Sequence, residues 1–185
     1  MKQKSNKTKN KKAWVWPLIV FILAISLSLL FSVLSELVLD GSAIAVAIIV
    51  IFVFIALAIL TDMIGLAVAS SNIEHFTAMA ARKVKGSKQA ISLAKNADKV
   101  SSVLNDVIGD VCGILSGAAG ASIVAKIALD NAGNFMAILI PSLIAAIIAG
   151  ITIGGKAIFK RIAIRHANSI TLTFAKFINF FTRKG

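Results

Sequence analysis

The sequence predicts an all-α integral membrane protein with four transmembrane helices and both termini in the cytoplasm. Three observations predict it. Of 185 residues, 58% are hydrophobic and only 15% are charged, with a mean hydropathy of +0.89, too apolar for an ordinary soluble domain. Four apolar stretches are each long enough to cross a hydrocarbon core, which takes about 20 helical residues. The net charge of +12 is concentrated in three blocks that alternate spans would place on one side. All Lys and Arg except Lys126 fall on that side, which the positive-inside rule assigns to the cytoplasm.

Residues 1–12 carry six lysines and no apolar run, and read as a disordered cytoplasmic tail. Residues 13–155 form the membrane domain. Trp14 and Trp16 are placed as interface anchors for span one, and Pro17 suits its first helical turn. The basic start followed by an apolar run resembles a signal peptide, but the run is long and no clear cleavage site follows, so a retained span is expected. That span closes on Ser26, Ser28, Ser32, Ser35 and Glu36, several of which share a helical face. The serine hydroxyls serve either a polar seam or bonds back to their own helix. Asp40-Gly41 marks a turn. Ala43–Ala69 is span two, interrupted by Thr61 and Asp62 and closed by Ser70, Ser71 and Asn72. At about 40 Å it exceeds the hydrocarbon core and must tilt or protrude.

Residues 74–102 form a basic cytoplasmic loop, divided by Gly86-Ser87 into two short helical pieces with apolar edges. Span three runs from Val103 to about Leu129, and a polar step at Lys126, Asp130 and Asn131 leads to span four, Phe135–Ile153, with Pro141 near its start. Residues 156–185 mix Phe and Ile at helical spacing with Lys and Arg, and read as amphipathic helix at the interface. Charge alone would also suit nucleic acid. Its placement between apolar spans points instead to anionic lipid headgroups, and no nucleic-acid partner is expected.

The stretch Asn105–Ala121, NDVIGDVCGILSGAAGA, combines carboxylates with a small-residue seam. Asp106 and Asp110 stand four apart, on one face of an α-helix. Gly109, Gly113 and Gly117 also stand four apart and predict close approach of another helix, in the same chain or in a homodimer. Carboxylates inside a bilayer need a partner, water or a cation. In the expected topology Asp62 reaches matching depth from span two, and the sequence offers no lysine deep in the membrane to pair with the three. Asp62, Asp106, Asp110 and Asn105 are therefore the candidate metal ligands, with Ser32, Ser35, Glu36, Thr61 and Asn72 as candidates for a wider cation path. Mg²⁺ accepts oxygen ligands and keeps several waters, so two or three carboxylates suffice. A transition metal fits less well, because His75 and His166 lie outside the spans and Cys112 stands alone. The structural alternative has Asp106 capping the helix and Asp110 protonated or bonded across helices.

Three stretches resemble the short bacterial proteins described as CorB-like magnesium and cobalt transporters, related to the transmembrane part of the CorB/CorC and cyclin M group. They are FSVLSE at Phe31–Glu36, TDMIGLAVASSN at Thr61–Asn72 and NDVIGDVCGILSG at Asn105–Gly117. By position the resemblance implies Ser32, Ser35 and Glu36 as ion-site residues. The chain departs from the group in its four spans and in lacking the paired nucleotide-sensing domains, so ATP regulation does not carry over.

No phosphate-binding loop, HExxH, GxSxG or Cys-x-x-Cys pattern is present, and no enzyme is expected. The expected function is binding and transport of a divalent cation, Mg²⁺, across the bacterial cytoplasmic membrane. The alternatives are an H⁺- or Na⁺-coupled transporter, or a membrane subunit that transports nothing and uses the glycine seam to hold a partner.

Overall fold

A computed structural model describes residues 4–39, 44–128 and 134–182. The described residues are helical throughout, apart from short turns. The expected turn at Asp40-Gly41 and the polar step at Asp130 and Asn131 lie outside them.

Helix α1 runs Lys4–Leu39, α2 Ile44–Ala69, α3 Ile73–Ala81, α4 Ser87–Lys95 and α5 Ala97–Ser101. A π-helical segment, Ser102–Gly109, then feeds α6, Asp110–Ala128. Helix α7 covers Asn134–Arg165 and α8 covers Ala167–Thr182. Four stretches are long and apolar enough to cross a membrane: Val15–Leu34, Ala45–Ala69, Ala97–Gly120 and Ile138–Arg165. This is a multi-pass membrane architecture.

Helices α2, α6 and α7 pack on one another and form the centre. Ile51 and Ile55 of α2 meet Ala119 of α6 and Ile148 of α7, with Ile59 and Ile144 beside them. The isoleucines recur at i and i+4, so each helix turns one ridge inward. Helix α1 stands at the edge. None of Val15–Leu34 is buried within the chain, though Phe31 meets Phe54 of α2 edge to face, with centroids 6.2 Å apart.

Three boundaries differ from expectation. Helix α1 starts at Lys4, inside the expected tail, so Pro17 lies within the helix rather than in its first turn. There it removes a backbone donor that a first turn would not have used. Helix α7 continues through Lys156 to Arg165 without a break at the expected domain boundary. Good helix formers carry it on after Gly154-Gly155, and the chain turns only at His166. Span three begins in α5, earlier than Val103, because the π segment joins α5 to α6 without an intervening loop.

The short helices form a second layer at the end of the bundle rich in Lys and Arg. Gly86 separates α3 from α4 where the division was expected, but a third short helix, α5, follows Asn96 where only two pieces were expected. Helix α3 ends in a Schellman arrangement: Lys83 N donates to Ala80 O at 3.0 Å and Val84 N to Met79 O at 3.1 Å. Lys83 takes the left-handed position, φ +55°, where glycine is usual. Gly86, φ +85°, starts α4 and lies so close to Lys176 of α8 that a Cβ would press on it. Phe76, Ala90, Ala94 and Ala175 form this layer's core, and Gln89 Nε2 donates to Asn179 Oδ1 at 2.7 Å. Helix α8 buries Ala167, Thr171 and Ala175, continuing a stripe that begins at Ala163 of α7, while Phe177 and Phe180 stay exposed.

Candidate functional site

The candidate site lies where α2, the start of α6 and α7 meet, at the basic end of the bundle. Thr61 and Asp62 bring it to α2. The Thr61 hydroxyl lies 2.8 Å from Leu57 O and 3.2 Å from Ala58 O, and so is bonded back to its own helix. Asp62 is half-buried. It lies within electrostatic reach of Lys156, Asp110, Lys160 and Asp106. Three acidic side chains and two basic ones therefore share one region.

Asp110 is paired. Lys156 Nζ of α7 lies 2.9 Å from its Oδ1, within charge-assisted hydrogen-bond range. The expectation that no lysine reaches the carboxylates is therefore corrected. Lys156 belongs to the same unbroken helix as the apolar span, one turn before Lys160, and its long stem carries the ammonium to α6. The signal in the sequence is the position of Lys156, alone between the apolar span and the Lys160-Arg161 pair one turn later.

The helix leading from Asp106 to Asp110 is π rather than α. Asp110 N donates to Asn105 O, five residues back, as well as to Val107 O. In the π register it is Asn105 that stands a turn before Asp110. Asp106 is exposed, and Ser102 Oγ donates to its Oδ2 at 2.9 Å. Among the described residues, no three His, Cys, Asp or Glu side chains come together as a metal-ligand group. In this conformation Asp62, Asp106 and Asp110 are neighbours in charge and are not a ligand shell.

Asn105 points from the π segment at α2. Its Oδ1 is buried with no hydrogen-bond partner, and a Cβ on Gly65 would collide with it. Gly109 is similarly close: a Cβ there would lie 3.2 Å from Leu104 O, 3.4 Å from Thr61 Oγ1 and 3.5 Å from Ala58 O. The crossing of α2 and the π segment is thus tight on both strips of backbone. The expected seam Gly109–Gly113–Gly117 does not face one helix. Gly109 meets α2, a Cβ on Gly113 would lie 3.8 Å from Thr152 of α7, and Gly117 has open space beside it. A step of four residues overshoots a 3.6-residue turn, so the strip drifts around α6.

Of the wider path, Thr61 adjoins Asp62, while Asn72 and Ser32 stand apart from this region. Asn72 caps α3, its Oδ1 accepting from Glu74 N at 2.8 Å, while its own N donates to Asn168 Oδ1 of the α7–α8 end. Ser32 follows Phe31, which stands opposite Phe54. Phe54 precedes Asp62 by eight residues on α2, about 12 Å along the axis. Ser28 and Ser32 instead line a shallow groove on α1 with Phe21, Ala24, Ile25, Leu29 and Val33. Ser35 and Glu36 lie on α1, and their side chains are outside the described ones. The basic end is further tied to α1 by Lys99, whose Nζ sits 5.1 Å from the centroid of Trp16.

Chemically, the arrangement is an ion pair beside a second, half-buried carboxylate. The Lys156 ammonium occupies a position on Asp110 that a metal cation or a proton would take. Comparison with known proteins adds no relative: no family model, curated protein or solved structure matches the chain.

Proposed function

We propose that this chain is a cation transporter of the bacterial cytoplasmic membrane, with both termini inside, and that Asp62, Asp110 and Lys156 exchange its cation. The observation that carries the reading is the Lys156–Asp110 pair, 2.9 Å apart, next to Asp62. The basic blocks orient the molecule, so the pair opens toward the cytoplasm, with anionic lipid headgroups around α3, α4 and α8. The open flank at Gly117 is where a homodimer would bring a second copy of α6 close.

Of the cations considered, the proton fits best. Protonation of Asp110 frees Lys156 without building a new ligand shell, whereas Mg²⁺ must displace the ammonium and gather carboxylates now apart. One observation favours the divalent reading, in which Asp106 joins Asp62 and Asp110. The unpaired Asn105 Oδ1 supplies a neutral oxygen of the kind Mg²⁺ accepts.

The test is reconstitution in liposomes with H⁺, Na⁺ and Mg²⁺ gradients applied separately. Proton flux that is lost in Asp110→Asn supports the leading reading, and Mg²⁺ flux lost in the same variant supports the second. No flux of any ion, together with no cation binding by the purified protein, leaves a membrane subunit without transport and rejects both.

A further inference from the structure

The π segment is out of keeping with its own sequence. Ser102–Gly109, SVLNDVIG, has no proline and no interior glycine to force a departure from α-helix. Eight π residues are also more than the single turn usual for such bulges. What accompanies the π register is the packing of Asn105 against Gly65, with the amide oxygen buried and unsatisfied. A buried acceptor without a partner is unfavourable, so this register holds an internal conflict at Asn105.

We propose that Ser102–Gly109 is a two-state element, with the π register as one state and a continuous α-helix from α5 into α6 as the other. A one-residue change of register turns α5 by about 100° and shifts it by about 1.5 Å against α6. Three contacts report the change. Asn105 leaves Gly65, Lys99 leaves the ring of Trp16, and Ser102 and Asp106 change their places relative to Asp110. In the π state Asp62 of α2 is within electrostatic reach of Asp106 and Asp110 and of Lys156 and Lys160 of α7. The register change itself does not depend on transport, so its test can fail or succeed separately from the flux measurement.

Two substitutions push the equilibrium in opposite directions. Gly65→Ala places a Cβ where Asn105 Oδ1 lies and disfavours the π state. Asn105→Ala removes the unsatisfied oxygen and favours it. The experiment uses the full chain in lipid nanodiscs, with Cys112→Ser and spin labels on Asp98→Cys and Ile114→Cys, which flank the segment. Spin-diluted pulsed-dipolar spectra give the distance within one chain. Gly65→Ala is expected to raise a second, discrete distance by about tenfold in population, and adding Asn105→Ala is expected to restore the first. An unchanged distance in Gly65→Ala, a featureless broadening, or no reversal by Asn105→Ala would overturn the proposal. If Gly65→Ala does not fold, hydrogen exchange in Asn105→Ala alone decides it. Amides of 102–110 are expected to exchange about tenfold more slowly with α6 unchanged beyond them, and exchange as fast as wild type overturns the proposal.

Discussion

Asp110 and Lys156 are unequally placed: the carboxylate side chain is 61% exposed and the lysine 21%. A pair this open contributes little to stability where water reaches it, about 0–1 kcal/mol. Lys156→Gln is therefore expected to leave thermal unfolding in nanodiscs almost unchanged while reducing cation flux. The loss should be about tenfold or more, the effect of removing one hydrogen bond to a charged group. A large drop in melting temperature with flux intact would mark the pair as structural. A second prediction at this scale concerns Lys83, which holds φ +55° at the end of α3. Lys83→Gly relieves a left-handed side-chain conformation and is expected to stabilise the protein by up to about 1 kcal/mol, after glycine's own entropy cost. Thermal unfolding measures it, and destabilisation would show that the lysine side chain makes a contact worth more. Asp62, Asp106 and Asp110 were legible as chemistry because carboxylates are conspicuous in apolar sequence. What was not legible is the π register that ends at Asp110 and the reach of Lys156 to its carboxylate, since spacing encodes neither.

At the scale of elements, the layer of α3, α4 and α8 depends on one large side chain. Phe76 is fully buried among Ala90, Ala94 and Ala175. Phe76→Ala removes most of the apolar volume at the centre of this layer and should cost about 3–5 kcal/mol locally. Hydrogen exchange is expected to show α3, α4 and α8 losing protection while α2, α6 and α7 keep theirs. Uniform loss through all helices would instead show that the layer and the membrane bundle unfold together. The division of the loop at Gly86-Ser87 was readable because glycine interrupts a helical pattern. The docking of α8 was harder to see. Its large residues, Phe177 and Phe180, dominate the sequence pattern yet stay exposed, while the buried stripe is Ala163, Ala167, Thr171 and Ala175. Small residues let helices approach closely, and hydrophobicity alone does not distinguish them from filler. The π segment left no mark in its composition. Its contact with α2, Asn105 against Gly65, is tertiary, and local propensity does not reveal it.

For the whole molecule, hydropathy and charge placement carried the architecture: four spans and a basic end follow from where apolar and basic residues fall along the chain. Long apolar runs are unambiguous because the bilayer fixes their length. Whether helices end or continue at Lys4, Ala97 and Lys156 depends on packing and backbone continuity, and those boundaries moved. The orientation makes its own prediction. Tags at both termini should be protected in intact spheroplasts and accessible in inverted vesicles; opposite accessibility of the two ends would require an odd number of spans. The central claim, that the carboxylates beside Lys156 handle the cation, is tested most directly by comparing neutralised acids inside and outside the cluster. Proton flux into liposomes is measured for Asp62→Asn and Asp110→Asn, with Asp98→Asn and Glu74→Gln as controls on α5 and α3. The account predicts flux lost in the first two and equal to wild type in the controls. Flux retained in Asp62→Asn and Asp110→Asn, or lost equally in all four, would contradict it.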